Sequence, residues 1–253
     1  MWNQHFTNII EWFLKITFIH PDTSEFIKAE SNELSRILRH FDTGIESVEI
    51  AEVTEKYHDF FHGLGDNNTM PDNLSRIIKN VKYLQDGTEI ATITNKHDGN
   101  KIFIIAYNGE CKAYKLLFHH TGISKPLESF NESEGTLRLL DFHEMLFSDR
   151  EDALFIVDEL DRKLHPLASQ ELIRLFNSKS QRRQQLIFTT HESSLLSSEF
   201  LRDDEVRFIV KGSDNIATMN SVVGHNEFIY AISENDYLSG NYDKIFARWR
   251  SSE

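Results

Sequence analysis

The sequence predicts an α/β fold for residues 131–253, with parallel strands and flanking helices, preceded by a mixed α+β lobe at 1–130. Two observations predict this division. In the second part, helix-like segments alternate with short, continuous apolar strands, a pattern typical of parallel sheets covered on both faces. In the first part, β-rich runs between residues 89 and 120 are separated by turn dipeptides, which indicates an antiparallel meander.

The first lobe begins with residues that predict helix. Segment 6–19 (FTNIIEWFLKITFI) is strongly apolar, and segment 31–41 (SNELSRILRHF) carries leucine and isoleucine at helical spacing. A strand, SVEIAEV, is expected after the turn at Gly44. The dipeptides Asp98-Gly99 and Asn108-Gly109 then supply the positive φ angles that tight hairpins require.

The second lobe alternates between helix and strand signals. Residues 133–147 (SEGTLRLLDFHEMLF) suit one amphipathic helix, and residues 153–157 (ALFIV) suit a buried strand. Pro166 is expected to open another helix, because proline is tolerated in the first helical turn. A second apolar strand, 185–190 (QLIFTT), is expected to run up to His191.

Charge and composition exclude several classes of protein. The chain has 40 acidic and 27 basic residues, a net charge of −13, and therefore no broad positive surface for duplex DNA. We interpret its densest basic stretch, SQRRQQ around Arg182 and Arg183, as a solvated turn. With a single cysteine, Cys111, no intramolecular disulfide can form. The sequence has no signal-peptide pattern and no long apolar run, so we predict a cytoplasmic protein without a membrane segment.

Two adjacent carboxylates, Asp158 and Glu159, follow directly on the apolar strand at 153–157. Such a pair is typical of a metal–nucleotide site, where the first acid holds Mg²⁺ and the second polarises the attacking water. Ligands bind beyond the carboxyl ends of parallel strands, which is where these acids would lie. The alternative is a surface turn after an ordinary core strand.

Two further groups could complete such a site. An imidazole at His191 can hydrogen-bond a γ-phosphate. Ser133, Gly135 and Thr136 lie near the start of a predicted helix, where backbone N–H groups and the helix dipole favour anions. The structural alternatives are a histidine with an ordinary hydrogen bond and a simple serine cap.

Three segments in order resemble one family. ESEGTLRLL, LFIVDELDRKLHP and LIFTTHESSLL resemble the C-terminal part of ABC-type ATPases, and among these the RecF/SMC/OLD-like group of AAA-family prokaryotic proteins. The likeness is strongest over residues 130–200. ESEGT resembles the signature loop, the segment with Asp158 and Glu159 resembles Walker B, and His191 corresponds to the switch histidine. KLHP corresponds to a stretch that lies at the dimer interface.

The resemblance implies an ATPase subunit or fragment with a composite site at a dimer interface, using ATP and Mg²⁺. Asp158 would bind the metal, while Glu159 and His191 would act in catalysis. The residues expected to contact nucleotide are Ser133, Glu134, Gly135 and Thr136. The implied partners are a second ATPase subunit, identical or different, and an effector protein in phage defence or a DNA-related process, with nucleic-acid binding left open.

The family's P-loop motif, G-x-x-x-x-G-K-[ST], does not occur in the printed sequence. HGLGDNNT at Gly63 and Gly65 lacks the lysine, and HDGNK around Gly99 has Lys101 at the wrong spacing. We therefore expect the chain to correspond to the C-terminal half of a longer or split ATPase. A polypeptide carrying a P-loop becomes a further expected partner, and the chain alone should bind ATP poorly and hydrolyse it negligibly.

Two other functions stay open. A catalytically inactive regulatory or dimerisation fragment would also lack a P-loop. A metal-dependent nuclease could use Asp158, Glu159 and a histidine such as His119 or His120. Two-metal sites need more convergent carboxylates than we can place, and side chains at consecutive strand positions point to opposite faces.

Overall fold

A computed structural model of the chain describes residues 15–19, 29–61, 72–94, 99–178, 183–197, 199–211, 215–221 and 238. The chain divides into two compact units. The first comprises residues 1–158 and 183–187, and the second comprises 159–182 and 188–253. Within the described ranges, no helix combines the length and the apolar character needed to cross a membrane.

Most of the regular elements belong to the first unit. They are β1 (Ile16–Ile19), α1 (Ser31–His40), β2 (Ile45–Glu52), α2 (His58–Phe61), α3 (Asp72–Lys79), β3 (Glu89–Thr94), β4 (Lys101–Tyr107), β5 (Glu110–His120), β6 (Leu127–Glu128), α4 (Glu134–Leu140), α5 (His143–Phe147), β7 (Leu154–Val157) and most of β8 (Gln185–Phe188). The second unit holds α6 (Pro166–Asn177), a 3₁₀ turn at Ser193–Leu196, β9 (Arg207–Lys211) and β10 (Ala217–Ser221).

The predicted antiparallel meander is confirmed. Strands β3, β4 and β5 pair antiparallel in sequence, and β2 joins the other side of β5, giving the order β2–β5–β4–β3 with β6 also on β5. At the β4–β5 turn, Asn108 and Gly109 have φ angles of 51° and 75°, the left-handed values that the dipeptide predicted. Residues 102–106 of β4 are all buried, so this strand forms the middle of the unit's core.

Helix α1 and strand β2 are also confirmed, and a side chain ties them together. Leu34, Ile37 and Leu38 of the helix are buried, as the 3.6-residue spacing predicted. Between them Ser35 donates to the Ser31 carbonyl at 2.6 Å and accepts from the Val48 N–H at 2.9 Å. The helix is therefore held on the sheet by both apolar burial and a buried hydrogen bond.

A second sheet contains the strand that leads to the two acids. Its order is β1–β7–β8, and β1 runs parallel to β7 with Ile16 opposite Leu154 and Ile19 opposite Val157. On the other side of β7, the Gln185 N–H donates to the Ala153 carbonyl at 2.9 Å. The parallel sheet predicted for the second half is confirmed, and it includes a strand from the start of the chain.

That first strand corrects the helix predicted for residues 6–19. Residues 16–19 form β1, because their β-branched side chains favour extended backbone and β7 supplies a parallel partner. Residues 6–14 lie outside the described residues. The proposed lobe boundary at residue 130 stays a prediction.

The single helix predicted at 133–147 is two helices. Helix α4 ends at Leu140 and α5 begins at His143. At the break, Phe142 has a ψ angle of 4°, which departs from helical geometry, and it is fully buried. Asp141 bonds back to Arg138 at 2.9 Å within the core. Burial of these side chains therefore outweighs the continuous helical pattern.

Candidate functional site

The two predicted acids lie in a tight turn after β7. Val157 is fully buried and Asp158 is exposed, so the chain passes from core to solvent within one residue. Glu159 is half-exposed, and Leu160 is buried. Asp158 belongs to the first unit, and Glu159 opens the second.

Glu159 has an unusual backbone. Its φ angle is +49°, a left-handed value that costs a residue with a side chain about 1–3 kcal/mol. Thr189 compensates, because its Oγ1 accepts from the Glu159 N–H at 2.8 Å and its carbonyl accepts from the Leu160 N–H at 3.0 Å. Both backbone donors at the strained position therefore find partners on one residue.

In a second pair of hydrogen bonds, the acceptor belongs to the turn after β7 and the donors belong to the turn after β8. Oδ1 of Asp161 accepts from the Thr190 hydroxyl at 2.6 Å and from the His191 N–H at 3.2 Å. Thr190 Oγ1 in turn accepts from the Glu192 N–H at 2.9 Å. We call residues 159–164 and 189–192 the paired turns, because each supplies acceptors to the other's backbone within the second unit.

His191 does not lie at the end of a strand as predicted. Strand β8 ends at Phe188, and His191 follows three residues later in the second of the paired turns. The reason is that Thr189 and Thr190 give their hydroxyls and carbonyl to the facing turn and not to a sheet ladder. The imidazole is exposed, and the backbone of His191 is fixed by Asp161.

The carboxylate of Glu159 has only a weak ionic partner in the second unit. Nη1 of Arg162 lies 3.6 Å from its Oε2, and the two side chains are 50% and 47% exposed. An ion pair this exposed contributes about 0–1 kcal/mol. Glu159 is therefore not locked in a buried ion pair and can meet a ligand or a water molecule.

The predicted signature residues, 133–136, form the N-terminal cap and first turn of α4 in the first unit. Ser133 Oγ accepts from the Thr136 N–H at 3.0 Å and lies 2.8 Å from the Thr136 hydroxyl. Just before the cap, Glu132 Oε1 lies 2.6 Å from Nε2 of His120, and the Glu132 side chain is only 6% exposed. The predicted helix start is confirmed, and Glu134 is exposed beside it.

The KLHP segment also has a structural role. Nδ1 of His165 accepts from the Leu167 N–H at 3.2 Å and so caps α6, with Pro166 in the first turn as predicted. Leu167 itself is 65% exposed. A single exposed leucine is ordinary on a protein surface, so the interface predicted for this segment stays a prediction.

Comparison with known proteins identifies the family. Residues 16–197 match the family described as "AAA domain, putative AbiEii toxin, Type IV TA system". The chain belongs to this AAA-domain family. The match begins at the first residue of β1 and includes Ser133, Asp158 and both paired turns. No curated protein matches the sequence.

Membership confirms the predicted resemblance at the level of an AAA domain. It indicates a P-loop type α/β fold and a nucleotide-binding, ATPase-like domain, for which Mg²⁺ is the usual metal. The closer placement with RecF/SMC/OLD-like proteins stays a prediction.

The carboxylates present in this AAA domain fit Mg²⁺ only together with a nucleotide. Among the residues that the structure describes, no cluster of three or more His, Cys, Asp or Glu side chains could hold a metal ion. Mg²⁺, however, is commonly bound by one or two carboxylates together with waters and substrate phosphates. Asp158, an exposed oxygen donor directly after a buried strand, suits that arrangement.

Sequence reasoning missed three residues of the AAA domain's paired turns: Asp161, Thr189 and Thr190. Their only sequence signal is that they adjoin predicted site residues, since Asp161 stands two residues after Glu159 and the threonines precede His191. No spacing rule reveals that they bond to one another across about thirty residues of chain.

Proposed function

We propose that the chain is a subunit or fragment of an ABC-type ATPase that binds and hydrolyses ATP at a composite site in a dimer interface. One observation carries the proposal: two adjacent acids directly follow a largely buried strand, in a chain of the AAA-domain family. Both carboxylates stand at the surface, beyond the carboxyl end of a parallel strand, where ligands of α/β sheets bind.

Each residue then has a chemical role. Asp158 would ligate Mg²⁺, which neutralises phosphate charge when bound. Glu159 would take a proton from the attacking water, a role that suits its half-exposed, weakly paired carboxylate. His191 would hydrogen-bond the γ-phosphate through its exposed imidazole.

The signature residues would serve the partner's nucleotide. Ser133 and Glu134 are exposed at the start of α4, and Gly135 and Thr136 form its first turn. Nucleotide state would then control association of two heads, identical or different. Leu167, exposed at the start of α6, would contribute to the same interface.

The proposed site also needs a P-loop, and the printed sequence contains no such motif. Without its lysine and backbone amides, a triphosphate would face two carboxylates with little compensating positive charge. We therefore expect the chain alone to bind ATP poorly and to hydrolyse it negligibly. Micromolar affinity in a calorimetric titration of the isolated chain would contradict this expectation.

The deciding experiment co-purifies the chain with the products of its neighbouring genes, to obtain a complex that contains a P-loop. Glu159→Gln should lower ATP turnover at least about a hundredfold, the usual contribution of a general base, and should trap an ATP-bound dimer. Glu199→Gln is the matched control, since Glu199 pairs with Arg174 at 2.9 Å on the surface of the same unit. Normal turnover of Glu159→Gln would remove Glu159 from catalysis.

The second candidate is a regulatory or dimerisation fragment without turnover, and the absent P-loop motif favours it. A stable complex that binds no nucleotide, with or without co-purified neighbours, would support it. An effector partner and a role in phage defence rest on resemblance alone, and a cytoplasmic location rests on the sequence patterns described above. The nuclease alternative gains no support, because His119 and His120 engage different carboxylates, Glu49 and Glu132.

A further inference from the structure

We infer that Thr189 and Asp161 are positioning residues of the proposed ATPase. Together they fix the relative positions of its two proposed catalytic residues, Glu159 and His191. Thr189 holds the backbone of Glu159, and Asp161 holds the backbone of His191. The inference rests on the proposed function. It gives a role in catalysis to the hydrogen bonds between the paired turns, which the proposed reaction does not otherwise involve.

Thr189 controls the direction of the Glu159 side chain. The left-handed backbone at Glu159 aims its Cα–Cβ bond differently from a strand or helix residue, and this conformation persists only where neighbours enforce it. The Oγ1 of Thr189 receives the N–H of that residue at 2.8 Å. Removing the hydroxyl while keeping the side-chain shape would release the carboxylate to other orientations.

Asp161 controls the place of His191 from the opposite turn. One oxygen, Oδ1, receives both the Thr190 hydroxyl and the His191 N–H, so consecutive residues are held at a single point. A charged acceptor makes such bonds stronger than neutral ones. Because Asp161 lies two residues after Glu159, movement of either turn would displace both proposed catalytic groups.

A purely structural role would give a different kinetic result. If the bonds only stabilise the fold, their removal would lower the amount of active enzyme and its melting temperature. Positioning bonds change the rate of the chemical step, because a misplacement of about 1 Å costs up to a hundredfold in rate. The two roles can therefore be distinguished by measuring kcat and KM for each variant and by testing whether conservative variants keep the wild-type kcat.

The kinetic test uses the co-purified ATPase complex. Thr189→Val and Asp161→Ala should each lower kcat about tenfold or more, with the KM for ATP changed less than about threefold. Thr189→Ser and Asp161→Asn keep the acceptor oxygen and should restore most of kcat. Matched controls are Thr218→Val and Asp204→Ala, exposed residues of the same unit that should leave kcat unchanged.

Failure of this inference can be told from failure of the proposed function. If Glu159→Gln abolishes turnover but Thr189→Val and Asp161→Ala keep the wild-type kcat, the positioning inference is overturned and the ATPase stands. Loss of kcat that the conservative variants do not restore would also overturn it.

A spectroscopic test on the chain itself does not depend on turnover. In ¹H–¹⁵N spectra, Thr189→Val should shift the Glu159 amide and accelerate its hydrogen exchange. Asp161→Ala should shift the His191 amide and imidazole signals, and Asp161→Asn should return them towards wild type. If the signals of both residues are unchanged, the paired turns do not position these groups, whatever the enzyme does.

Discussion

The capped turn at Ser133 and the paired turns at 159–164 and 189–192 both carry residues predicted to act at a nucleotide, yet they are built differently. The cap's bonds span three residues, from Ser133 to Thr136. The bonds of the paired turns span about thirty residues, from Glu159 to Thr189 and from Asp161 to Thr190. One arrangement is local, and the other exists only in the folded chain.

This difference separates what a segment can form alone from what the fold must provide. A serine three residues before a threonine can cap a helix in a short peptide. The strained backbone of Glu159 has one local bond, from the Arg162 N–H to its carbonyl at 3.0 Å, but its own N–H donates to a residue after the next strand. The proposed catalytic groups therefore depend on the fold, whereas the proposed signature contact depends mainly on its own sequence.

The largest expected effect concerns the other end of the capped helix. Arg138 and Asp141 pair at 2.9 Å with side chains 1% and 3% exposed, and Arg138 Nε and Nη2 have no hydrogen-bond partner in the structure. Asp141→Ala leaves a buried guanidinium charge uncompensated. It should lower the free energy of unfolding by about 3–5 kcal/mol, measured by urea denaturation.

A double variant provides the control for that pair. Arg138→Met combined with Asp141→Leu replaces both charges by apolar groups of similar size and should recover most of the lost stability. If Asp141→Ala costs less than about 1 kcal/mol, then burial of this pair does not anchor α4, and the local cap must carry the helix.

The next effect tests whether the paired turns act together. Asp161→Ala leaves the Thr190 hydroxyl and the His191 N–H without their acceptor and should cost about 1–3 kcal/mol in unfolding free energy. In a double-mutant cycle, Asp161→Ala and Thr190→Val should be coupled by at least about 0.5 kcal/mol. Asp161→Ala and Ser133→Ala, which share no bond, should be additive. Equal coupling in both cycles would erase the contrast between the two regions.

The same contrast explains which elements could be predicted from sequence. The meander, α1 and α6 have local signals: turn dipeptides at Asn108-Gly109, apolar spacing in 31–41 and a proline at position 166. Strand β1 has only a weak one, because a short run of mostly apolar, β-branched residues fits either helix or strand and its partner β7 lies far along the chain. The break at Phe142 likewise follows from tertiary burial.

The candidate site divides in the same way. The acids at 158 and 159 and the cap at Ser133 could be recognised as short motifs. The residues that hold Glu159 and His191 could not, since hydrogen bonds between turns thirty residues apart leave no period or spacing in the sequence. Left-handed backbone at a glutamate is also invisible in sequence, because it is not the residue's preference.

A smaller effect is expected at the cap itself. Ser133→Ala removes the acceptor for the Thr136 N–H and should lower the free energy of unfolding by about 1 kcal/mol. Ser133→Thr keeps an acceptor and should lose less. Because the cap is local, neither variant should shift the His191 signals in ¹H–¹⁵N spectra. A shift there would show that the two regions are not independent.

The smallest effect concerns a bond that is long-range but exposed. Glu52 accepts from Lys112 at 2.9 Å across β2 and β5, and this hydrogen bond, with a second from Thr54, holds the pKa of Glu52 below its ordinary value. A carboxyl with a lowered folded-state pKa contributes stability above its unfolded pKa, and that contribution is lost as pH falls through the folded value.

Unfolding of wild type and Glu52→Gln should therefore differ slightly at neutral pH, and the difference should begin to fall below the ordinary glutamate pKa of about 4.3 and vanish once the pH is below the lowered folded-state pKa. Solvent screens this pair, so added salt should reduce the difference as well. Sequence separation alone would make the Glu52–Lys112 bond resemble the paired turns. A double-mutant cycle of Glu52 and Lys112 tests this. If their coupling energy equals that of Asp161 and Thr190, the paired turns differ from the capped turn only in the sequence separation of their bonds, and their strained, multiply bonded geometry adds nothing.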